Sequence, residues 1–297
     1  MNWKGSIEAF IYYLKLERGY SENTQKGYQN DISLFAEFMM NQKIFEPSRT
    51  TESDIQKFLQ DYYQLHQASS QARILAGIKS FFAFLIVERR IKVNPAKNIE
   101  SPKLGFKIPN YLEYFEVRNI INSISLKNFY GIRDKAIIET LYACGIRASE
   151  CCNLKISNID FKNQTIKIIG KGNKERIIPI AQSALDTLQI YLHTRIKYPL
   201  QLKQENFVFL SNQGFRLNKS LLHEIIQKAA RSARISKKIS AHTFRHTFAT
   251  HLIQNGMDIL VLSQILGHES IITTQIYTHT DMKYLRKTIE EFHPMNK

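Results

Sequence analysis

The sequence predicts a mainly α protein in two parts: a small four-helix N-terminal domain, and a larger, mostly helical C-terminal domain holding a small β-hairpin or sheet. Three observations carry this prediction. Apolar residues recur at helical spacing along most of the 297 residues, and the pattern breaks at 101–110, SPKLGFKIPN, which has linker composition. One further stretch, 165–180, switches to two β-rich runs around a Gly- and Asn-containing loop. A chain of this length is also expected to divide into two domains.

The N-terminal elements follow in order. Ile7, Phe10, Ile11 and Leu14 make an i, i+3, i+4, i+7 stripe. Ser21 is a plausible N-cap for a second helix burying Tyr28, Ile32 and Phe35. Thr51 or Ser53 opens a third, running to about Leu65, and a fourth opens near Ser69–Ser70. That fourth helix carries Ile74, Ile78, Phe81, Phe82 and Leu85 inward until Asn94-Pro95 stops it. The expected boundaries are 1–102 for this domain, 103–110 for the linker and 111–297 for the second domain. Within the second, TIKIIG and ERIIPI form the hairpin, with Lys171 and Lys174 at its tip or beside it. Helical spacing returns at 182–196, at 220–234 and through most of 242–293.

Charge narrows the partners. Lys and Arg number 41 against 26 Asp and Glu, a net +15, which favours a polyanion: nucleic acid or an anionic membrane surface. The excess is uneven. Residues 1–102 hold 13 basic and 11 acidic groups, net +2; residues 103–297 hold 28 and 15, net +13. Cys144, Cys151 and Cys152 have neither metal-ligand nor disulfide spacing and read as small buried side chains in a reducing compartment. The N-terminal helix pattern is not that of a signal peptide, and no run approaches the ~18 uninterrupted apolar residues of a membrane span. The expectation is a cytoplasmic, nucleoid-associated protein without a membrane partner.

Four short stretches hold the candidate chemistry: CGIRASE around Arg147, GKGNKER around Lys171, HTFRHTFATHL around His242 and Arg245, and LGHESIITTQIYTH from His268 to Tyr277. Taken singly, each has an ordinary explanation: a surface ion pair, a solvated hairpin lysine, a packed polar cluster, a half-buried tyrosine. Their co-occurrence, order and spacing are what carry weight.

In these stretches the chain resembles the tyrosine recombinases, and within them the Xer group of chromosome-dimer resolvases. The NPA run at 94–96, the segment SSQARILAGIKSFFAFL and the pair His293-Pro294 extend the resemblance to nearly the whole chain. Cys144, Ala148 and Phe244 depart from the usual family residues, none at a catalytic position. The resemblance implies that the first domain clamps DNA and the second is catalytic. It assigns the active site to Arg147, Lys171, His242, Arg245, His268 and Tyr277.

The implied chemistry needs those residue types. The transition state at a phosphodiester concentrates charge on the non-bridging oxygens, which Arg147 and Arg245 would neutralise bidentately, with His268 adding a hydrogen bond. Tyr277, a phenol of pKa near ~10, would attack phosphorus with His242 as general base. Lys171 would protonate the departing 5′-oxygen, with Lys174 as the alternative acid. The product would be a 3′-phosphotyrosyl enzyme and a free 5′-hydroxyl. No cofactor is expected: the ester energy is conserved, and the sequence has neither a GxxxxGK[ST] loop nor a carboxylate cluster for paired Mg²⁺.

The amphipathic end YLRKTIEEFHPMNK either packs on its own domain or, as the resemblance implies, docks into a neighbouring subunit as a subunit-exchange helix, closing a tetramer on two double-stranded DNA sites. That tetramer would act through a Holliday junction, alone or with a second Xer recombinase, with a DNA translocase as a candidate activator. Chromosome dimer resolution is the expected role. The alternatives are an integrase of a mobile element, a relaxing topoisomerase with the same chemistry, and a non-catalytic DNA-binding protein retaining the fold.

Overall fold

Helices dominate both parts of the computed structural model, which describes residues 2–103, 110–170, 174–267 and 288–296. The chain divides into two compact units, 1–107 and 108–297.

The first unit holds α1 (Trp3–Leu16), α2 (Glu22–Asn41), α3 (Glu52–Leu65) and α4 (Ala68–Val87). Their starts follow the local chemistry. The Ser21 hydroxyl accepts from the Thr24 amide at 3.4 Å, and Thr51 and Asp54 form a reciprocal capping box at the head of α3. The predicted stripes meet in one aromatic-rich core in which Phe10, Ile32, Phe35, Ile74, Ile78, Phe81 and Phe82 are all 0% exposed. Length and composition alone would let α4 cross a membrane, yet these inward residues make it the core helix of this unit.

One boundary differs from expectation. α4 ends at Val87, well before Asn94-Pro95, because Arg89 takes a left-handed φ of 55°. Asn94 instead ties the returning chain to α4, donating from Nδ2 to the Lys79 carbonyl at 3.1 Å.

The second unit is built around α6 (Phe129–Cys144), buried on nearly every side and packed against α8 (Gln182–Arg195) and α10 (Ala241–Gln254). α5 (Tyr114–Asn122), α7 (Ala148–Cys152), α9 (Lys219–Ser232) and α11 (Ile259–Leu266) belong to the same unit, and residues 288–292 are also helical. The predicted hairpin is β2 (Thr165–Ile169) against β3 (Glu175–Pro179), antiparallel with Ile169 opposite Glu175. A third strand, β1 (Ile159–Asp160), pairs with β2; at two residues it is too short to show a period. The three cysteines are free and buried. Helical spacing at 242–293 conceals a break. Gly256 at φ 102° turns the chain after α10, and the Asp258 carboxylate caps α11.

Candidate active site

Two helix ends build the site. α6 stops at Gly145, whose φ of 57° brings its Cα against Phe248 of α10; a Cβ there would lie 2.4 Å from the ring. The chain then turns straight into α7, which puts Arg147 at the N-cap position of that helix. On α10, Phe244 and Phe248 bury one face, and Arg245 lies within the same interior at 6% exposed. His242, one turn before Arg245, stays exposed beside the helix start.

The other end is the C-terminus of α11. A helix leaves its last carbonyls without intrahelical donors and concentrates negative partial charge there. Three successive carbonyls of this terminus are each taken by a different arginine. Arg176 Nε donates to Ile265 at 2.9 Å, Arg245 Nη2 to Leu266 at 2.6 Å, and Arg147 Nη2 to Gly267 at 3.1 Å. Arg245 Nη1 also donates to the Gly145 carbonyl at 2.8 Å, joining the two helix ends.

Glu150 locks the arrangement. Its Oε1 accepts from Arg147 Nη1 and Arg176 Nη1, each at 2.9 Å, and its Oε2 from the Arg147 amide and Arg176 Nη2, each at 2.8 Å. Those four bonds match the four lone-pair sites of a carboxylate. Burial alone would raise the Glu150 pKa; the bonds and charge of Arg176, then those of Arg147, outweigh it and hold the group at about 2. Arg245 is pushed down to about 10, first by burial and then by the charge of Arg147, so it remains cationic at neutral pH.

Three guanidiniums face one carboxylate, which leaves positive charge in excess. Arg147 and Arg245 each commit only two of five N–H donors among the described residues, and Arg147 is 41% exposed. Such a pair can receive an oxyanion in bidentate fashion.

A stability prediction follows from Glu150. Its pKa is lower folded than unfolded, so its contribution is complete above the usual carboxylate pKa and is lost as pH falls towards about 2. The whole contribution is of the order of 3 kcal/mol, and about 1 kcal/mol of it should be gone by pH ~3.5. Urea unfolding of wild type and Glu150→Gln across pH 6 to about 3.5 measures this. The expected result is a stability difference that narrows as pH falls; a constant difference contradicts it.

Of the six candidates, Arg147 and Arg245 lie in this cluster, and His242 is exposed on α10 one turn before Arg245. Lys171, His268 and Tyr277 lie outside the described residues. Lys174 is exposed just before β3, and its carbonyl accepts from the Gly170 amide at 2.8 Å. The histidines of HTFRHTFATHL also separate. His251 is buried, with Nδ1 2.8 Å from the Tyr142 hydroxyl, and its pKa is lowered by burial. His246 is half-buried near Tyr111, and burial and then the charge of His242 lower its pKa. His242 is the exposed one of the three.

Sequence reasoning missed Glu150 and Arg176. Both had a signal: Glu150 sits at the capping-box spacing after Arg147, and Arg176 has the core-facing parity of Ile178 on β3. Among the described residues, no group of His, Cys, Asp and Glu has the arrangement of a metal site.

Comparison with known proteins places the chain in a family. Residues 110–284 match the phage integrase family, and residues 7–89 match the phage integrase N-terminal SAM-like domain. The tyrosine recombinase XerD of Chlorobaculum tepidum is 37% identical over 297 residues, covering 98% of this chain and 97% of that protein. The tyrosine recombinase XerC of Thermodesulfovibrio yellowstonii is 38% identical over 298 residues, with the same coverage of 98% and 97%. The crystal structure of XerA recombinase aligns with a TM-score of 0.51 at 32% identity, covering 98% of this chain and 99% of that one. XerH bound to a palindromic difH substrate in a post-cleavage complex has the same fold, with a TM-score of 0.72 at 24% identity and coverage of 96% and 84%. With both segments matched and relatives similar over almost their full length, the chain belongs to the phage integrase family, as a tyrosine recombinase of the XerC/XerD type.

Proposed function

We propose that this protein is a site-specific recombinase that cleaves and rejoins double-stranded DNA through a 3′-phosphotyrosyl intermediate. The observation that carries the reading is the arginine cluster at the end of α11: two guanidiniums held in place, with N–H donors that no partner among the described residues takes up.

In this mechanism Arg147 and Arg245 bind the non-bridging oxygens of the scissile phosphate, and His268, which follows Gly267 in sequence, donates a further hydrogen bond. The Tyr277 oxygen attacks phosphorus while His242 takes the phenolic proton. The P–O5′ bond breaks, and Lys171 delivers a proton to the departing oxygen. A 5′-hydroxyl from a second duplex reverses the step, so one ester is exchanged for another and neither ATP nor a metal is required. Four subunits exchange strands in turn through a Holliday junction; to join a neighbour, the C-terminal segment would have to leave its own unit, where Ile289 and His293 are buried and the Asn255 side chain donates to the Phe292 carbonyl. A lambda integrase tetramer bound to a Holliday junction, whose fold this chain shares, supports this assembly by analogy. The chain acts in the cytoplasm on the nucleoid, resolving chromosome dimers with or without a second Xer recombinase and a DNA translocase.

The test uses a duplex selected by the wild-type chain from a random-sequence pool and nicked beside the cleavage point. The nick lets the short 5′-hydroxyl strand diffuse away, so religation fails. The protein should become SDS-resistantly attached in EDTA and without nucleotide. Attachment that appears only with Mg²⁺ or ATP contradicts the mechanism.

A further inference from the structure

We propose that Arg176, through Glu150, is a positioning residue for Arg147 in the phosphate-binding pair; the inference deepens the recombinase reading and rests on it. Arg176 is the third arginine of the α11 terminus, but its situation differs from the other two. Its side chain is 8% exposed, and its Nε and both Nη atoms are engaged, one with Ile265 and two with Glu150. It is therefore placed to act on neighbours rather than on a substrate.

Arg176 bonds to one of the two groups that hold Arg147 and lies beside the other. Glu150 accepts from the Arg147 amide and Nη1, while the residue after α11, Gly267, accepts from Arg147 Nη2. Arg176 also lies close against Gly267: a Cβ there would lie 3.1 Å from Arg176 Cδ, and the backbone φ is 65°. At the far side, a Cβ on Gly170 would sit 3.6 Å from Arg176 Nη1 and 3.8 Å from Glu150 Oε1. One guanidinium thus ties the stem of the β2–β3 hairpin to α7 and to the end of α11.

The electrostatic consequence concerns Arg147. A buried carboxylate paired with Arg147 alone would cancel its charge and draw it into a closed ion pair. With Arg176 bidentate on the same carboxylate, Glu150 fixes the direction of Arg147 while Arg176 supplies the compensating charge. Arg147 then keeps its field for the phosphate.

The experiment compares Arg176→Met and Arg176→Lys with wild type on the selected nicked duplex, and on the same duplex with a neutral methylphosphonate at the scissile position. Duplex affinity should be nearly unchanged in both variants, since many phosphates set it. Attachment by Arg176→Met should be slower by about 10²-fold on the phosphate, with the deficit shrinking below about 10-fold on the methylphosphonate, which has less charge to stabilise. Arg176→Lys, which keeps the charge but not the fork, should fall between. A deficit equal on both substrates means general loss of structure and overturns the proposal, as does unslowed attachment by Arg176→Met. If wild type attaches to neither substrate, the recombinase reading fails, and the side-chain Nε–H resonance of Arg147, assigned through Arg147→Lys, decides the positioning claim. That resonance should shift in Arg176→Lys; an unmoved signal overturns it.

Discussion

Lys171→Ala should slow strand cleavage by about 10² to 10⁴-fold, the usual worth of a positioned general acid. The leaving group explains the size. A deoxyribose 5′-oxygen departs as a strongly basic alkoxide unless a proton reaches it as the P–O bond breaks. Arg147 and Arg245 are assigned another task, charge neutralisation at the non-bridging oxygens. A substrate carrying sulfur at the 5′-bridging position separates the two roles, since a thiolate leaves unprotonated. That substrate should restore Lys171→Ala and leave Arg147→Ala and Arg245→Ala slow. Lys174→Ala is the necessary companion, because Lys174 is exposed at the foot of β3 and near enough in sequence to compete. Rescue of Lys174→Ala, with Lys171→Ala still slow on sulfur, transfers the acid role to Lys174.

Much of this molecule was legible in its sequence because its local signals agree with its tertiary structure. Ser21 and Thr51 cap the helices they precede, and the stripes at Phe10, Ile32 and Ile78 are the core of the first unit. The hairpin at 165–180 forms because alternating β-branched residues flank a short polar loop. What escaped was non-local. Nothing near Arg89 in the sequence announces its left-handed turn, so the apolar pattern of α4 reads on to the proline. Gly256 was hidden within a continuing apolar period.

The site divides in the same way. Arg147, His242 and Arg245 stand out because they sit in recognisable motifs. Glu150 and Arg176 do not: their partnership spans 26 positions, and each looks locally like an ordinary surface charge. Only the fold shows that both are buried and that the α11 terminus, some 90 residues further on, completes the set (Ile265 lies 89 positions beyond Arg176). Helix ends explain why cations gather there. Orphan carbonyls hold arginines by hydrogen bonds that carry no full negative charge, so the guanidiniums are oriented without being neutralised. A carboxylate in the same place would orient them equally well and cancel the charge that a phosphate needs.

The central claim is that the Tyr277 oxygen becomes the covalent link to DNA. Tyr277→Phe removes that oxygen and little else, so affinity for the selected duplex should be almost unchanged while attachment is abolished. The direct measurement is to trap wild type on the nicked duplex, digest protein and DNA, and identify by mass spectrometry the peptide that retains a nucleotide. The account predicts a single modified peptide containing Tyr277, joined to a 3′-phosphate, and none from Tyr277→Phe. A nucleotide on any other residue, a 5′-phosphate linkage, or a trapped complex with the Phe variant would contradict it.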